Sequence, residues 1–317
     1  MNHLRPVFRT HLSVNGVEHH LRRLLSNLAE SAKYVAMKVR ESTRAPAHSV
    51  NPYGEQQLEM DVYADRVILD RLSQETTFGV LQFASEEQGE IRTVDPKNGE
   101  YSVTADPLDG SSLVDVNLSV GSIFGVHDGK KMGVMSGRDS MVAAMYVVYG
   151  PETTLVYSAG KGVHEFVLDA VGNWVLNREN VRFEAKGRIY SAGGTRSEWS
   201  VPHLEFVENL ERTHYKLRYS GALVADFNQV LMKGGGIFCY PRTKSMPDGK
   251  LRLLVELQPL AFIAEKAHGR ATDGAVPILD KVPISMGELS PAYLGSEREV
   301  SLAGTFLAAP GEEAADA

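Results

Sequence analysis

The segment Thr104-Ala105-Asp106-Pro107-Leu108-Asp109-Gly110-Ser111-Ser112 constrains this chain more than any other, because it forces two carboxylates, a proline and a glycine into five consecutive positions. Tyr101 to Thr104 alternates as a strand does, and Pro107 biases Asp106 toward an extended backbone, which places Asp106 at a strand's end. Proline presets one turn dihedral and glycine accepts positive φ, so Pro107-Leu108-Asp109-Gly110 is expected to turn the chain and bring Asp109 back beside Asp106, with the Leu108 carbonyl facing the same point. Three hard oxygen donors of that kind suit Mg2+, and Gly110-Ser111-Ser112 leaves backbone N–H groups free to meet a phosphate. The competing reading is an Asp-rich turn with Ser111 or Ser112 as a helix N-cap.

The rest of the chain supplies layers around this loop. Leu21, Leu24, Leu25, Leu28, Ala32, Val35 and Val39 recur at helical spacing over 18–43, and Leu58, Val62, Leu69 and Leu72 mark a second helix after Gly54. Strands are expected over 78–83, 101–104, 117–126, 141–149, 153–158, 163–168 and 173–176, the later ones in an antiparallel meander separated by short glycine turns. Beyond Lys186 the pattern changes to helices at 204–210, 225–232 and 260–267 alternating with strands at 236–240, 251–256 and 292–296. This predicts an α/β chain of two α/β domains, 1–187 carrying the metal loop and 188–317 carrying a second α/β unit.

With 317 residues and 43% hydrophobic content, the chain is long enough to bury a sizeable core. Its formal net charge of -7 argues against a nucleic-acid surface, while leaving room for a small anion held by local Lys and Arg. Cys239 is the single cysteine, which excludes an internal disulfide and a multi-cysteine metal cluster. No apolar run reaches membrane-spanning length, and the start of the chain lacks an apolar signal core, so a cytoplasmic location is expected.

More acids stand at element ends. Glu86 and Glu87 follow the 78–83 strand directly, and two acidic strand ends can share one site. Glu256 closes the apolar run Leu251-Arg252-Leu253-Leu254-Val255, where a buried acid needs a partner, either Arg252 or a metal. Together with Val120-Gly121-Ser122-Ile123-Phe124-Gly125, Arg218-Tyr219-Ser220-Gly221, Gly235-Gly236-Ile237-Phe238-Cys239-Tyr240-Pro241 and Gly249-Lys250-Leu251-Arg252, these motifs make the chain resemble the Mg2+-dependent, lithium-sensitive sugar phosphatases. Within them it resembles the class I fructose-1,6-bisphosphatases, over about 51–296.

The resemblance implies a layered α-β-α-β-α fold, Mg2+ as cofactor with two or more ions per subunit, and a homo-oligomer, expected to be a tetramer. It implies that Glu86, Asp106, the Leu108 carbonyl, Asp109 and Glu256 bind metal and that Asp61 and Glu87 together take a proton from the attacking water. Glu55 stands where the family has an aspartate near a third metal. Gly110, Ser111 and Ser112 match the cradle of the phosphate being cleaved, and Arg218, Tyr219, Tyr240 and Lys250 match the site of the sugar and retained phosphate, Arg218 across a subunit boundary. The segment Ser191-Ala192-Gly193-Gly194-Thr195-Arg196 lacks the asparagine and tyrosine that the family presents to that phosphate; Arg196 reads as a substitute or as a surface arginine. The same segment looks more like sedoheptulose-1,7-bisphosphatases. Glu100 replaces a lysine of the family's AMP site, and an acid there repels a nucleotide phosphate, so weak or absent AMP inhibition is expected.

Uncatalysed phosphate-monoester hydrolysis is slow enough that a catalyst must supply on the order of 20 kcal/mol. Side-chain acid–base work gives about 3 to 5 kcal/mol of this, so clustered carboxylates holding cations are the expected source of the remainder. The reading is therefore hydrolysis of the 1-phosphate of D-fructose 1,6-bisphosphate to D-fructose 6-phosphate, with a sedoheptulose-1,7-bisphosphatase or dual-specificity enzyme as alternative. An inositol monophosphatase-like enzyme is disfavoured because Arg218, Tyr219, Tyr240 and Lys250 suit a second phosphate. A noncatalytic sugar-phosphate sensor is the distant alternative, since the six acids Asp61, Glu86, Glu87, Asp106, Asp109 and Glu256 are all present.

Overall fold

The structure is a computed structural model that describes residues 5–41, 46–54, 56–74 and 79–308. Glu55 lies outside the described residues. In the first half, α1 (Phe8–Val14), α2 (His19–Glu41), β1 (Pro46–Val50), β2 (Gln56–Leu58) and α3 (Glu59–Gln74) precede β3 (Val80–Ser85), β4 (Arg92–Thr93), β5 (Tyr101–Asp109) and β6 (Val120–Asp128). A short helix α4 (Gly137–Ser140) leads into the meander of β7 (Met141–Tyr149), β8 (Thr153–Ser158), β9 (His164–Leu168) and β10 (Trp174–Arg178). In the second half follow β11 (Ile189–Ala192), α5 (Val201–Arg212), β12 (Lys216–Leu217), α6 (Leu223–Met232) and β13 (Gly236–Tyr240). The chain then runs through β14 (Leu251–Arg252), α7 (Gln258–Lys266), β15 (Gly269–Thr272), β16 (Leu289–Ser290), β17 (Ala292–Ser296) and α8 (Glu297–Leu307).

Strands β3 to β10 form an eight-stranded sheet in the order β10-β9-β8-β7-β6-β5-β3-β4, antiparallel except where β3 runs parallel to β5. A five-stranded sheet, β12-β11-β13-β17-β15, is built from the second half. Alternation along the strands sorts side chains between layers. In β7, Ala143, Met145 and Val147 pack with α1, α2 and α3, whereas Ala144, Tyr146 and Val148 point to the other face and meet α6 and α7. Phe238, Ala292 and Leu294 of the second sheet close that central layer, and Ile237, Cys239 and Tyr293 turn outward to α5 and α8. The result is five layers, α-β-α-β-α, with the middle helices supplied by the second half and packed on the first sheet.

Two local expectations need correction. The Pro107–Gly110 step is not a reversal, because β5 runs on through Asp109. Asp106 faces Ile123 and Asp109 faces Gly121, so three steps on β5 oppose two on β6. One residue is extra, which is a β-bulge, and a bulge bends a strand and re-aims its side chains without ending it. Nor is 251–256 a strand. Only Leu251 and Arg252 pair with β16, and Leu253–Leu257 forms a single π-helical turn leading into α7. The Glu256 carboxylate accepts from the Arg252 backbone N–H at 2.5 Å, which closes the chain on itself where a strand would have stayed extended.

Candidate active site

The bulge in β5 and the π-helical turn face each other across the floor of a cleft of about 290 Å3. Asp106, Asp109 and Glu256 are all buried, and one carboxylate oxygen from each lies within 4.8 Å of the others. Asp106 Oδ1 accepts from the Leu108 N–H at 3.0 Å, which fixes the bulge from inside. Ser122 Oγ donates to the Pro107 carbonyl at 2.6 Å and meets Tyr149 Oη at 2.8 Å. Asp109 is held by the start of α6, with Oδ2 accepting from the Val224 N–H at 2.7 Å and Oδ1 from the Leu223 N–H at 3.3 Å. A carboxylate at a helix start is favoured by the free N–H groups and the helix dipole.

Burial first, and then the neighbouring charges of Glu86, Asp109 and Glu256, hold Asp106 well above the ordinary carboxylate range. Burial also lifts Asp109 to about 7, against the pull of the Val224 and Leu223 N–H groups. Arg252 sets a guanidinium in contact with Glu86 and 4.0 Å from Glu256, and it lies over the Tyr53 ring at 4.7 Å. One guanidinium beside Glu86, Asp106, Asp109 and Glu256 cannot balance four ionised carboxylates, and the raised values of Asp106 and Asp109 reflect that deficit together with burial. Converging, desolvated, all-oxygen donors of this kind fit a hard divalent cation, which relieves the repulsion that lifts their pKa values.

Beside this group Glu87 is pushed up to about 8, chiefly by burial and further by Asp61 and Glu86, while a hydrogen bond from Gln57 Nε2 at 2.6 Å opposes the rise. Asp61 is buried at the start of α3, where its Oδ2 accepts from the Leu58 N–H at 2.7 Å. Gly110, Ser111 and Ser112 form the adjoining rim. Gly110 has φ +77°, and a Cβ there would come within 2.5 Å of the Ala222 Cβ, so only glycine lets the rim close on the segment before α6. Tyr219, Tyr240 and Lys250 line the remaining wall, with Lys250 Nζ 5.7 Å from the centre of the Tyr240 ring.

The structure therefore brings together Asp61, Glu86, Glu87, Asp106, Leu108, Asp109, Gly110, Ser111, Ser112, Tyr219, Tyr240, Lys250 and Glu256 in one cleft. Arg218 and Arg196 are not among the residues lining it. Arg218 donates to the Leu217 carbonyl at 2.9 Å, and Arg196 pairs with Glu208 at 3.1 Å. Sequence reasoning missed Asn51 and Gln57 in the lining, and it weighed Arg252 only against Glu256, not against Glu86. Asn51 and Gln57 precede α3, and only their nearness in sequence to Asp61 hinted at a role. Away from the cleft, Glu100 meets His20 at 2.8 Å, and Tyr101 Oη donates to Glu18 at 3.2 Å, so two carboxylates occupy the start of β5 and α2.

Residues 7–179 match the family model of the fructose-1,6-bisphosphatase N-terminal domain, and residues 183–308 match that of its C-terminal domain. The chain belongs to the fructose-1,6-bisphosphatase family. It is 46% identical to a class 1 fructose-1,6-bisphosphatase of Geobacter sulfurreducens over 300 residues, covering 94% of this chain and 95% of the relative. The holo form of Leishmania major fructose-1,6-bisphosphatase superposes with a TM-score of 0.89 at 31% identity, covering 95% of this chain and 98% of that one. A Toxoplasma gondii structure provisionally assigned as a sedoheptulose-1,7 bisphosphatase gives a TM-score of 0.88 at 29% identity, covering 96% and 99%. Family membership makes the chain a phosphatase. Among the described residues no helix is long and apolar enough to cross a membrane.

Proposed function

We propose that this chain hydrolyses the 1-phosphate of D-fructose 1,6-bisphosphate, giving D-fructose 6-phosphate and phosphate, with Mg2+ bound by Glu86, Asp106, the Leu108 carbonyl, Asp109 and Glu256. The observation that carries the reading is the convergence of Asp106, Asp109 and Glu256 opposite a wall of Tyr219, Tyr240 and Lys250. One wall is anionic and suits cations; the other offers a lysine and two phenols to a second anionic group. When bound, divalent cations supply charge neutralisation on the phosphoryl and leaving oxygens. The protein's own groups do the remainder. Glu87, with a pKa near neutrality and Asp61 beside it, takes the proton of the attacking water. Gln57 fixes the direction in which that carboxylate points. The N–H groups and hydroxyls of Gly110, Ser111 and Ser112 cradle the phosphate being cleaved, and Tyr219, Tyr240 and Lys250 hold the sugar and its second phosphate so that attack is in line.

Phosphate release measured on fructose 1,6-bisphosphate with Mg2+ and with EDTA tests this. Release is expected only with metal, and Asp109→Asn is expected to lower it by at least about 100-fold, the scale of a lost electrostatic contact in a transition state. Metal-independent release, or full activity in Asp109→Asn, rejects the assignment. The Ser191–Arg196 segment and the likeness to the Toxoplasma gondii structure favour a second reading, in which sedoheptulose 1,7-bisphosphate is also cleaved; the same assay on that sugar decides it. Arg196 and Arg218 complete the sugar-phosphate site in this proposal, Arg218 from a neighbouring subunit of a homotetramer. By family resemblance Glu55 is assigned a catalytic role, and the enzyme acts in the cytoplasm in gluconeogenic or Calvin-type carbon metabolism.

A further inference from the structure

We propose that His11, His164 and Glu179 form a second metal site, separate from the catalytic cleft and suited to a borderline divalent cation such as Zn2+. The three come from different elements: His11 from the buried face of α1, His164 from the start of β9, and Glu179 from the position after β10. One ligand atom from each lies within 4.8 Å of the others. The two imidazole rings cross at 67° with centroids 4.5 Å apart, and His11 Nε2 is 3.1 Å from Glu179 Oε1. Zn2+ with bonds of about 2.0 to 2.1 Å holds neighbouring tetrahedral ligands about 3.3 Å apart, so this pair already has nearly the required spacing.

The outward-facing ring atoms are anchored as metal-bound histidines require. His164 Nε2 is 3.1 Å from the Lys161 carbonyl, which only accepts, so the proton sits on Nε2 and the lone pair on Nδ1. Nδ1 accepts from the Asn180 N–H at a long 3.4 Å, a weak bond that a cation on Nδ1 would replace. His11 Nδ1 meets Tyr157 Oη at 2.8 Å, leaving Nε2 toward Glu179, with Asn15 Nδ2 3.1 Å away. Gly162, at φ +64°, shapes the turn that delivers the Lys161 carbonyl; a Cβ there would come within 2.5 Å of Asn180 Oδ1. Two imidazoles and one carboxylate, with Glu179 exposed, leave an open fourth position for water. This donor set differs from the all-oxygen catalytic group and selects a softer ion. Its effect is to clamp a seven-residue helix, too short to be stable alone, onto the sheet edge.

Co2+ binding to the full chain reports the site, because tetrahedral cobalt with nitrogen ligands absorbs visible light far more strongly than octahedral cobalt among oxygens. The strong band is expected in the wild type and in Asp109→Asn, and is expected to be lost in His164→Gln and Glu179→Ala. Zn2+ is expected to raise the thermal midpoint of the wild type by several degrees and to leave Glu179→Ala unmoved. Glu179 is exposed, so its removal leaves the fold intact even where His164→Gln weakens it. Absence of the strong band in the wild type overturns the proposal, as does its persistence in Glu179→Ala.

Discussion

Gln57 matters because the hydrogen bond it donates stabilises the ionised form of Glu87, a carboxyl already raised to about 8. Removing it in Gln57→Ala raises Glu87 further, so a larger fraction is protonated at a given pH and unable to accept the proton of water. The acid limb of kcat/KM against pH is therefore expected to move to higher pH, with the alkaline plateau little changed. An unmoved limb would mean that Glu87 is not the group whose titration limits the rate. Glu86, Glu87, Asp106 and Asp109 were legible in the sequence because strand ends and a proline–glycine step are local signals. Gln57 was not, since a neutral amide has no spacing that distinguishes a residue orienting a base from one meeting solvent.

At the scale of elements, α6 organises two walls of the cleft at once. Its N-terminal N–H groups hold Asp109, and its buried Asp226 accepts from the Ser220 N–H at 2.8 Å and the Gly221 N–H at 3.2 Å, fixing the loop that presents Tyr219. Hydrogen bonds to a charged group are worth about 1.5 to 3 kcal/mol each. Asp226→Ala is expected to raise KM about tenfold while changing kcat only a few-fold, with partial rescue by Asp226→Asn; steady-state kinetics on the bisphosphate checks both. Helix α6 itself was readable from its apolar period, but the π-helical turn at Leu253–Leu257 was not. A continuous apolar run has the same pattern in a buried strand and in a buried turn, and only the bond from the Arg252 N–H to Glu256 separates them. The bulge in β5 escaped for a similar reason, because Pro107 and Gly110 fit a turn and a bulge equally well.

For the whole molecule, periodicity marked the strands and helices of two α/β halves, because each strand between two helical layers must be apolar on both faces, whereas the five-layer order came from the family resemblance. Two deeply buried histidines bear on stability. Burial pushes His127 in β6 and His203 in α5 down to about 3, with Nδ1 of each at 3.0 Å from Ser140 Oγ and Tyr293 Oη respectively. The unfolded chain protonates both below its value of 6.5 while the folded chain does not until about 3, so stability falls as pH drops through that window and is unaffected by them above it. Between pH 7 and 5 each costs about 2 kcal/mol, and His127→Gln is expected to flatten this slope in urea unfolding. The hold of α6 on Asp109 has a last consequence for biosynthesis. A ribosome that has delivered the first sheet has released Glu86, Asp106 and Asp109, yet the N–H groups of Leu223 and Val224, then Arg252 and Glu256, are still to be translated. Until they arrive the nascent chain carries an unfinished acidic cluster, so the site can close only once the second half has been made.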